Sequence, residues 1–316
     1  MEQAVEKEKV SLLSKINIRA ILPFIGLIVV FIIFNILTGG KMISQIKLIL
    51  SQVYMVMISS MGVFFIMTMG GLDFSQGSIL GMSSIVICAL SNVAPMPVAL
   101  IGGILAGAAV GAFNGFFYVN RKVKSFIVTI CTMFLLRGII KYITADGPVN
   151  GLSMVKYNSD AVKLISTIVI LAVGFIFFRF TRFGMDLKAI GAGEKAAKFS
   201  GVKTNRLKFL IYVLSGAITG YAAFINVIKS GSATYNSGNQ LETQILIALV
   251  LGGMPISGGA KARFECIIIG SLLYFVLENG LAMMGMEIQT RQLIKGVIFL
   301  AFVALFADRK SLKVIK

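Results

Sequence analysis

Ten stretches of the chain are nearly free of charge and long enough, or almost long enough, to cross a bilayer. They run over 18–37, 49–69, 78–90, 98–119 and 126–144, then over 164–180, 209–228, 244–254, 266–284 and 293–306. A crossing helix needs about 20 apolar residues, which the third and eighth stretches do not supply. Those two can be half-helices or re-entrant pieces, tolerated at membrane depth only where protein or a watery cavity covers their backbone. The pattern predicts an all-α polytopic membrane protein of about ten transmembrane helices, two of them candidate half-helices. Eight full spans with two partial ones is the alternative. The first span follows a polar segment, 1–17, and has no small-residue cleavage site, so it is expected to be retained.

Composition turns this pattern into exclusions. Apolar residues make up 57% of the 316 and charged residues 14%, with a mean hydropathy of +0.90. Soluble domains average about 25% charged, and such a chain could not keep its surface wet. The sequence has no His, which excludes triads, His–metal sites and His proton relays together. Cys88, Cys131 and Cys266 all lie inside apolar runs and give neither a disulfide framework nor a metal spacing. They read as small packing residues. No catalytic residue and no metal site is expected.

The longest stretches outside the spans, 145–163 and 181–208, are too short for a domain of at least about 50 residues. The reading is one membrane domain over 18–308, with segment 1–17 before it and a tail, 309–316, after it. The only Gly-Lys pair, Gly40-Lys41, is followed by Met42, so no phosphate-cradling loop exists. If ATP is used, another chain hydrolyses it.

The net charge of +17 would suggest nucleic acid in a soluble chain. Its distribution suggests a bilayer. With the N-terminus inside, 21 of the 30 basic residues fall in cytoplasmic segments and 8 outside, while Arg137 sits within a span. That asymmetry predicts both termini in the cytoplasm and explains the charge without nucleic acid.

The segment 181–208, TRFGMDLKAIGAGEKAAKFSGVKTNRLK, reads as a cytoplasmic loop. Gly191, Gly193, Ala196, Ala197, Ser200 and Gly201 crowd into eleven positions. A short helix is predicted over about 194–199, with Gly193 as its N-cap, Glu194 at its positive end and Gly201 ending it. An Ala-faced helix can enter a shallow groove on a partner; the alternative is an ordinary basic loop.

These residues resemble the cytoplasmic coupling loop of ribose/monosaccharide-class permeases of ATP-binding-cassette importers. The family pattern stands here as Arg182-Phe183-Gly184, Ala189-Ile190-Gly191, Glu194, Ala196-Ala197 and Ser200-Gly201-Val202, with Gly193 where Asn is usual. GGLDFSQGSILGM (70–82), FNGFFYV with SFIVTICTMFLLRGI (113–139), and LETQILIALVLGG, ISGG and LENGLAMMGM (241–286) resemble further family stretches in the same order. Lys124-Ser125 replaces prolines of many members. The Asp73-Phe74-Ser75 core favours the sugar branch over branched-chain amino-acid permeases.

The residues can also be read without the family. Gly70-Gly71 permits unusual backbone angles, and Ser75, Gln76 and Ser78 supply side-chain hydrogen bonds around Asp73. Asp73 is a candidate for a broken helix at membrane depth, for a solvated loop, or for an N-cap. Gly252-Gly253 with Ser257 and Gly259 repeats the spacing of Gly70-Gly71, Ser75 and Gly77. Arg137 and Glu278 lie within spans, where an ionisable group costs about 2.5–3.5 kcal/mol and usually has a partner or a watery path; Arg137 can also snorkel. Asn114, Thr129 and Thr132 are polar on two neighbouring spans and suit either a hydroxyl-rich solute or interhelical hydrogen bonds.

The resemblance implies a multi-pass permease subunit of the bacterial inner membrane that imports a monosaccharide or polyol. It implies Gly191, Gly193, Glu194, Ala196, Ala197, Ser200 and Gly201 as the ATPase-coupling residues. Candidates for the translocation path are Asp73, Ser75, Ser78, Asn114, Thr129, Thr132 and Arg137. The implied partners are a cytosolic ATP-binding-cassette ATPase that binds the ATP, an extracytoplasmic solute-binding protein, a second permease copy or paralogue, and the lipid bilayer; no cofactor is expected on this chain. Rival readings are an ion-coupled secondary transporter or channel, and an importer of the same fold for nucleosides or branched-chain amino acids.

Overall fold

The computed structural model describes residues 18–255, 258, 259 and 261–306. The segments 1–17 and 309–316, and Ser257 of the repeated glycine motif, lie outside the described residues. In chain order come α1 (Ile18–Leu37), the short α2 (Lys41–Ser44), α3 (Ile46–Thr68), α4 (Gln76–Ser91), α5 (Met96–Val119) and α6 (Ser125–Ile143). Then follow β1 (Val149–Asn150), a 3-10 turn (Leu152–Tyr157), α7 (Asp160–Phe180), α8 (Arg182–Ala192), α9 (Glu194–Phe199) and α10 (Thr204–Ser230). β2 (Ser232–Ala233), α11 (Leu241–Leu251), α12 (Glu265–Met283) and α13 (Ile288–Phe306) complete the fold.

Each of the ten apolar stretches falls on a helix. Among the described residues six helices, α3, α5, α6, α7, α10 and α12, are long and apolar enough to cross a membrane. As their sequences suggested, α4 and α11 are short, at 16 and 11 residues. Two expectations need correction. The fold is not purely helical, because β1 and β2 pair antiparallel with Val149 opposite Ala233; two-residue strands are too short to carry a periodic signal. The 181–208 segment is not a loop but two helices, α8 and α9, followed by the start of α10. Gly184, Leu187 and Ile190 form the buried stripe of α8, which two glycines and an aspartate conceal in a propensity reading.

The core is built around α3, which is buried continuously from Val56 to Thr68. Helices α10, α11, α12 and α7 pack on it. The most extensive helix–helix contact is that of α5 with α10, whose backbones touch at glycines. A Cβ on Gly107 would stand 2.2 Å from the Gly216 carbonyl oxygen, one on Gly216 2.1 Å from that of Gly107, and one on Gly220 2.4 Å from that of Gly103. Gly103, Gly107 and Gly111 recur every four residues and face Gly216 and Gly220. Small residues at this spacing let membrane helices approach closely, where dispersion replaces the hydrophobic effect as the source of cohesion.

The two ends of the bundle differ. At one end lie the 68–70 turn, the 120–124 connection, the α8–α9 hairpin, Gly258, Gly259 and residues 261–264; most of the basic connecting segments gather here. At the other, the two-stranded sheet and the 3-10 turn sit on the end of α4: Asn92 donates to the Asn150 carbonyl at 3.0 Å and Ser153 to that of Ser91 at 3.0 Å. From this sheet the chain does not stay at that end. Residues 234–240 run down the side of the bundle, with Tyr235, Asn236, Asn239 and Gln240 exposed, until Gly238 reaches Gly77, where a Cβ on Gly77 would lie 2.2 Å from the Gly238 carbonyl. Gly77 is eleven residues along α4 from Cys88, beside which the sheet is seated, so the descent spans roughly 16 Å at the helical rise. α11 therefore begins part-way along the bundle and not at its end.

Candidate functional site

The break between α3 and α4 centres on Asp73. Gly70 turns the chain at φ +84, and 71–75 run without helix before α4 begins at Gln76. Asp73 is 2% exposed, which sets aside a solvated loop. Its carboxyl oxygens accept from the Ser75 amide at 2.8 Å, the Ser75 hydroxyl at 2.6 Å and the Gln76 side-chain amide at 2.7 Å.

From there the network spreads to three further helices. Gln76 donates to the Ser215 hydroxyl at 3.0 Å and accepts from Thr219, both on α10. Asn114 of α5 donates to the Ser75 hydroxyl at 2.9 Å and accepts from Thr132 of α6 at 2.6 Å. The Phe74 amide donates to Thr129 at 3.2 Å, and Ser78 closes on the Ser75 carbonyl at 2.7 Å.

Six of the seven path candidates thus meet in one cluster: Asp73, Ser75, Ser78, Asn114, Thr129 and Thr132. All six are buried and bonded to protein groups. Ser215 and Thr219 were missed, since hydroxyls on an apolar helix look alike whether or not a partner faces them. Replacing Asp73 with Ala would leave up to three buried donors unpaired, each costing about 1–3 kcal/mol. The expected result is a lowered melting temperature of the purified protein, with Asp73→Asn intermediate; unchanged melting of Asp73→Ala would show the network to be dispensable.

Arg137, the seventh candidate, does not snorkel. Its guanidinium turns inward, donating to the Ser237 carbonyl at 3.0 Å and the Gly238 carbonyl at 2.5 Å, with a Glu242 carboxylate oxygen at 3.9 Å. It therefore holds the tip of the descending 234–240 segment. Glu242 stands just ahead of the eighth uncharged stretch, 244–254, where a carboxylate reads as an ordinary helix-flanking charge. Glu278 is paired with Arg291 at 2.5 Å and with Lys295, so both ionisable residues read within spans have partners. Cys88 and Cys266 are buried as packing residues should be, but Cys131 is exposed, because α6 turns that face outward.

At the basic end, α9 occupies 194–199 with Gly193 before it and Gly201 in the left-handed region at φ +86 after it. Glu194 is paired with Lys208 of α10. The Ala face is divided: Ala197 is 4% exposed and packs inward, while Ala196, Lys195, Lys198 and Ser200 face out. Phe199 stands 93% exposed at the tip. The outward face is therefore not the alanine face that the sequence suggests, because Ala197 is turned inward and Phe199 outward.

The hairpin is seated on α3. A Cβ on Gly191 would lie 2.0 Å from the Thr68 carbonyl oxygen, and that same oxygen accepts from the Gly259 amide at 2.9 Å. Gly258 sits as close to the Met67 carbonyl, at 2.2 Å from a built Cβ. The two glycine turns whose spacing echoes in the sequence therefore meet here, and four residues separate Thr68 from Asp73.

A helical bundle of this kind, with a polar break in its core, irregular backbone buried at depth and a basic hairpin projecting from one end, defines a polytopic membrane transport subunit. The chain matches the family described as "Branched-chain amino acid transport system / permease component" over residues 45–303, and it belongs to that permease family. It is 33% identical over 302 residues, 92% of each chain, to the ribose import permease protein of Bacillus subtilis (strain 168). It is 30% identical over 272 residues, 83% of each chain, to the D-allose transport system permease protein of Escherichia coli (strain K12). It is also 30% identical over 284 residues to the galactose/methyl galactoside import permease protein of that strain, covering 81% of this chain and 84% of the other. No solved structure matches the chain.

Proposed function

We propose that this chain is the permease subunit of an ATP-binding-cassette importer that brings a neutral monosaccharide or related polyol into the cytoplasm. The observation that carries the coupling is the α8–α9 hairpin, which projects Phe199 outward while its base rests on the end of α3. The named substrates of the relatives support a sugar. Residues 191–201 form the docking surface for a cytosolic ATPase, which binds the ATP; this chain carries no cofactor and no catalytic residue. An extracytoplasmic binding protein delivers the solute, and a second permease copy or paralogue completes the path in the inner membrane. Both termini lie in the cytoplasm, by the charge asymmetry.

In this mechanism the Asp73 network is the rigid frame behind the path. Its polar groups are spent on α4, α5, α6 and α10, so it pins four helices into one body. Closure of the ATPases pushes the hairpin, and the glycine contacts at Thr68 pass the push to α3 as rigid-body motion. A neutral solute fits a bundle whose buried ionisable groups already have partners, Asp73 by hydrogen bonds and Arg137 and Glu278 by ion pairs.

The test is uptake by cells carrying the whole transporter, with radiolabelled ribose, allose, galactose, leucine and adenosine offered in turn. Uptake of a sugar is expected, abolished by a hydrolysis-dead ATPase. Uptake confined to leucine or adenosine would sink the sugar and leave the importer standing. Uptake that persists without ATP hydrolysis would make the chain a secondary transporter or channel.

A further inference from the structure

A solute passing this chain must find polar groups, and those of the Asp73 network are all engaged. A cavity of about 500 Å³ between α11 and α13 offers others. Its floor is Leu72 and Phe74, the residues flanking Asp73, and its walls are apolar apart from a small polar set: Gln240, Thr243, Gln244, Tyr274, Gln292 and Lys295. That balance, within about 300–1,000 Å³, is the usual constitution of a small-molecule site.

The placement of these groups needs an explanation. α11 starts at the bottom of the descending segment, so Gln240, Thr243 and Gln244 stand part-way along the bundle and not at its end, Gln240 and Thr243 exposed on its side and Gln244 half-buried. Gln240 is held at φ +61, a conformation disfavoured for a residue with a side chain. Its amide oxygen accepts from Gln292 of α13 at 3.1 Å, bridging the cavity. Among the described residues, neither the Thr243 hydroxyl nor the Gln244 amide has a hydrogen-bond partner, and Thr243 is exposed. Amides presented to hydrocarbon at this depth would be costly; they are tolerated where they line a watery path. Lys295 is not such a free charge, because Glu278 pairs it and it donates to the Tyr274 hydroxyl at 3.1 Å.

We propose that this cavity is the solute-binding site of the translocation path, taking a neutral polyhydroxylated ring by the amides of Gln240, Gln244 and Gln292. Planar amides suit this role because each offers both a donor and an acceptor to neighbouring hydroxyls. The rings of Phe74 and Tyr274 cover the apolar face of the sugar. The inference rests on the sugar-permease reading but assigns the contact to residues that are distinct from the Asp73 frame. It also gives the Gln240–Gln292 hydrogen bond a role, as a bridge that an entering hydroxyl replaces.

The experiment uses the whole transporter and whichever of radiolabelled ribose, allose or galactose the unmodified system takes up. Gln244→Leu and Gln292→Leu keep the size of the side chain and remove its hydrogen bonds. Each is expected to raise the KM for uptake about tenfold, the worth of one lost polar contact, while the ATPase still co-purifies with the permease. Normal KM in both variants, with the unmodified system transporting, would overturn the site and leave the permease reading intact.

A second measurement is independent of uptake. In a Cys131→Ser background, a cysteine at Thr243 should react with a charged, water-soluble thiosulfonate, and the transported sugar should slow that reaction. A thiol that reacts only with a membrane-permeant maleimide would mean a lipid-filled cavity and would also overturn the proposal. Absence of sugar uptake by the unmodified transporter, with Thr243→Cys still water-accessible, would instead sink the sugar reading and show the cavity to serve another solute.

Discussion

Phe199→Asp is expected to reduce transport to background while the permease still inserts, folds and pairs. The side chain is 93% exposed at the tip of α9 and contributes nothing to the packing of its own bundle. Burial of a Phe on a partner is worth about 1.5–3 kcal/mol, so its replacement by a charge should weaken ATPase binding by about 10- to 150-fold. Co-purification of the ATPase with the permease measures the binding, and ATP-driven uptake in vesicles measures the consequence. Ala197→Trp supplies the contrast. Ala197 is 4% exposed, and a Trp there would displace α9 from its own bundle, lowering stability as well as coupling. Full ATPase capture and normal uptake by Phe199→Asp would show that the partner docks elsewhere.

Gly107→Leu should prevent the bundle from assembling. A Cβ at Gly107 would stand 2.2 Å from a backbone oxygen of Gly216, and neither backbone can yield without parting α5 from α10. Overpacking alone costs about 1–3 kcal/mol. Separation of these helices also strains the bonds from Asn114 to Ser75 and from Gln76 to Ser215, whose buried groups cost about 1–3 kcal/mol each when unpaired. Gly26→Leu on α1, with nothing within 4 Å of its Cβ position, is the control for an added leucine. The expected outcome in detergent is aggregation or loss of yield for Gly107→Leu and a monodisperse protein for Gly26→Leu. Equal yields and melting temperatures would show that the close approach is not required.

The helices were legible because uncharged runs of bilayer length leave few other structures open to the chain. The α9 helix was legible because Gly193 and Gly201 bracket it so closely. Its orientation was not: whether Ala197 or Phe199 faces the partner depends on how α8 docks on α3, through contacts between residues distant in sequence. The descending 234–240 segment, with Tyr235, Asn236, Ser237, Gly238 and Asn239, has the composition of a surface turn. Only the carbonyl contacts of Arg137 and the missing side chain of Gly77 reveal its depth. Likewise Asp73 could be singled out as unusual, while its second tier, Ser215 and Thr219, lay some 140 residues away on a helix that reads simply as apolar.

The hydrogen bond from the Gly259 amide to the Thr68 carbonyl also sets a timetable. The central helix of the bundle ends on an acceptor whose donor is made about 190 residues later, and at about 5–20 residues per second that is an interval of roughly 10–40 s. Through that interval the Thr68 carbonyl is without this donor, although the Gly70 and Gly71 amides already bond the Met67 and Ile66 carbonyls, and for most of it Gln76 is without its partners on α10. A ribosome stalled before Gly258 therefore leaves a nascent chain whose spans are already in the bilayer and whose core is unfinished, which makes the second half of the gene the folding template for the first.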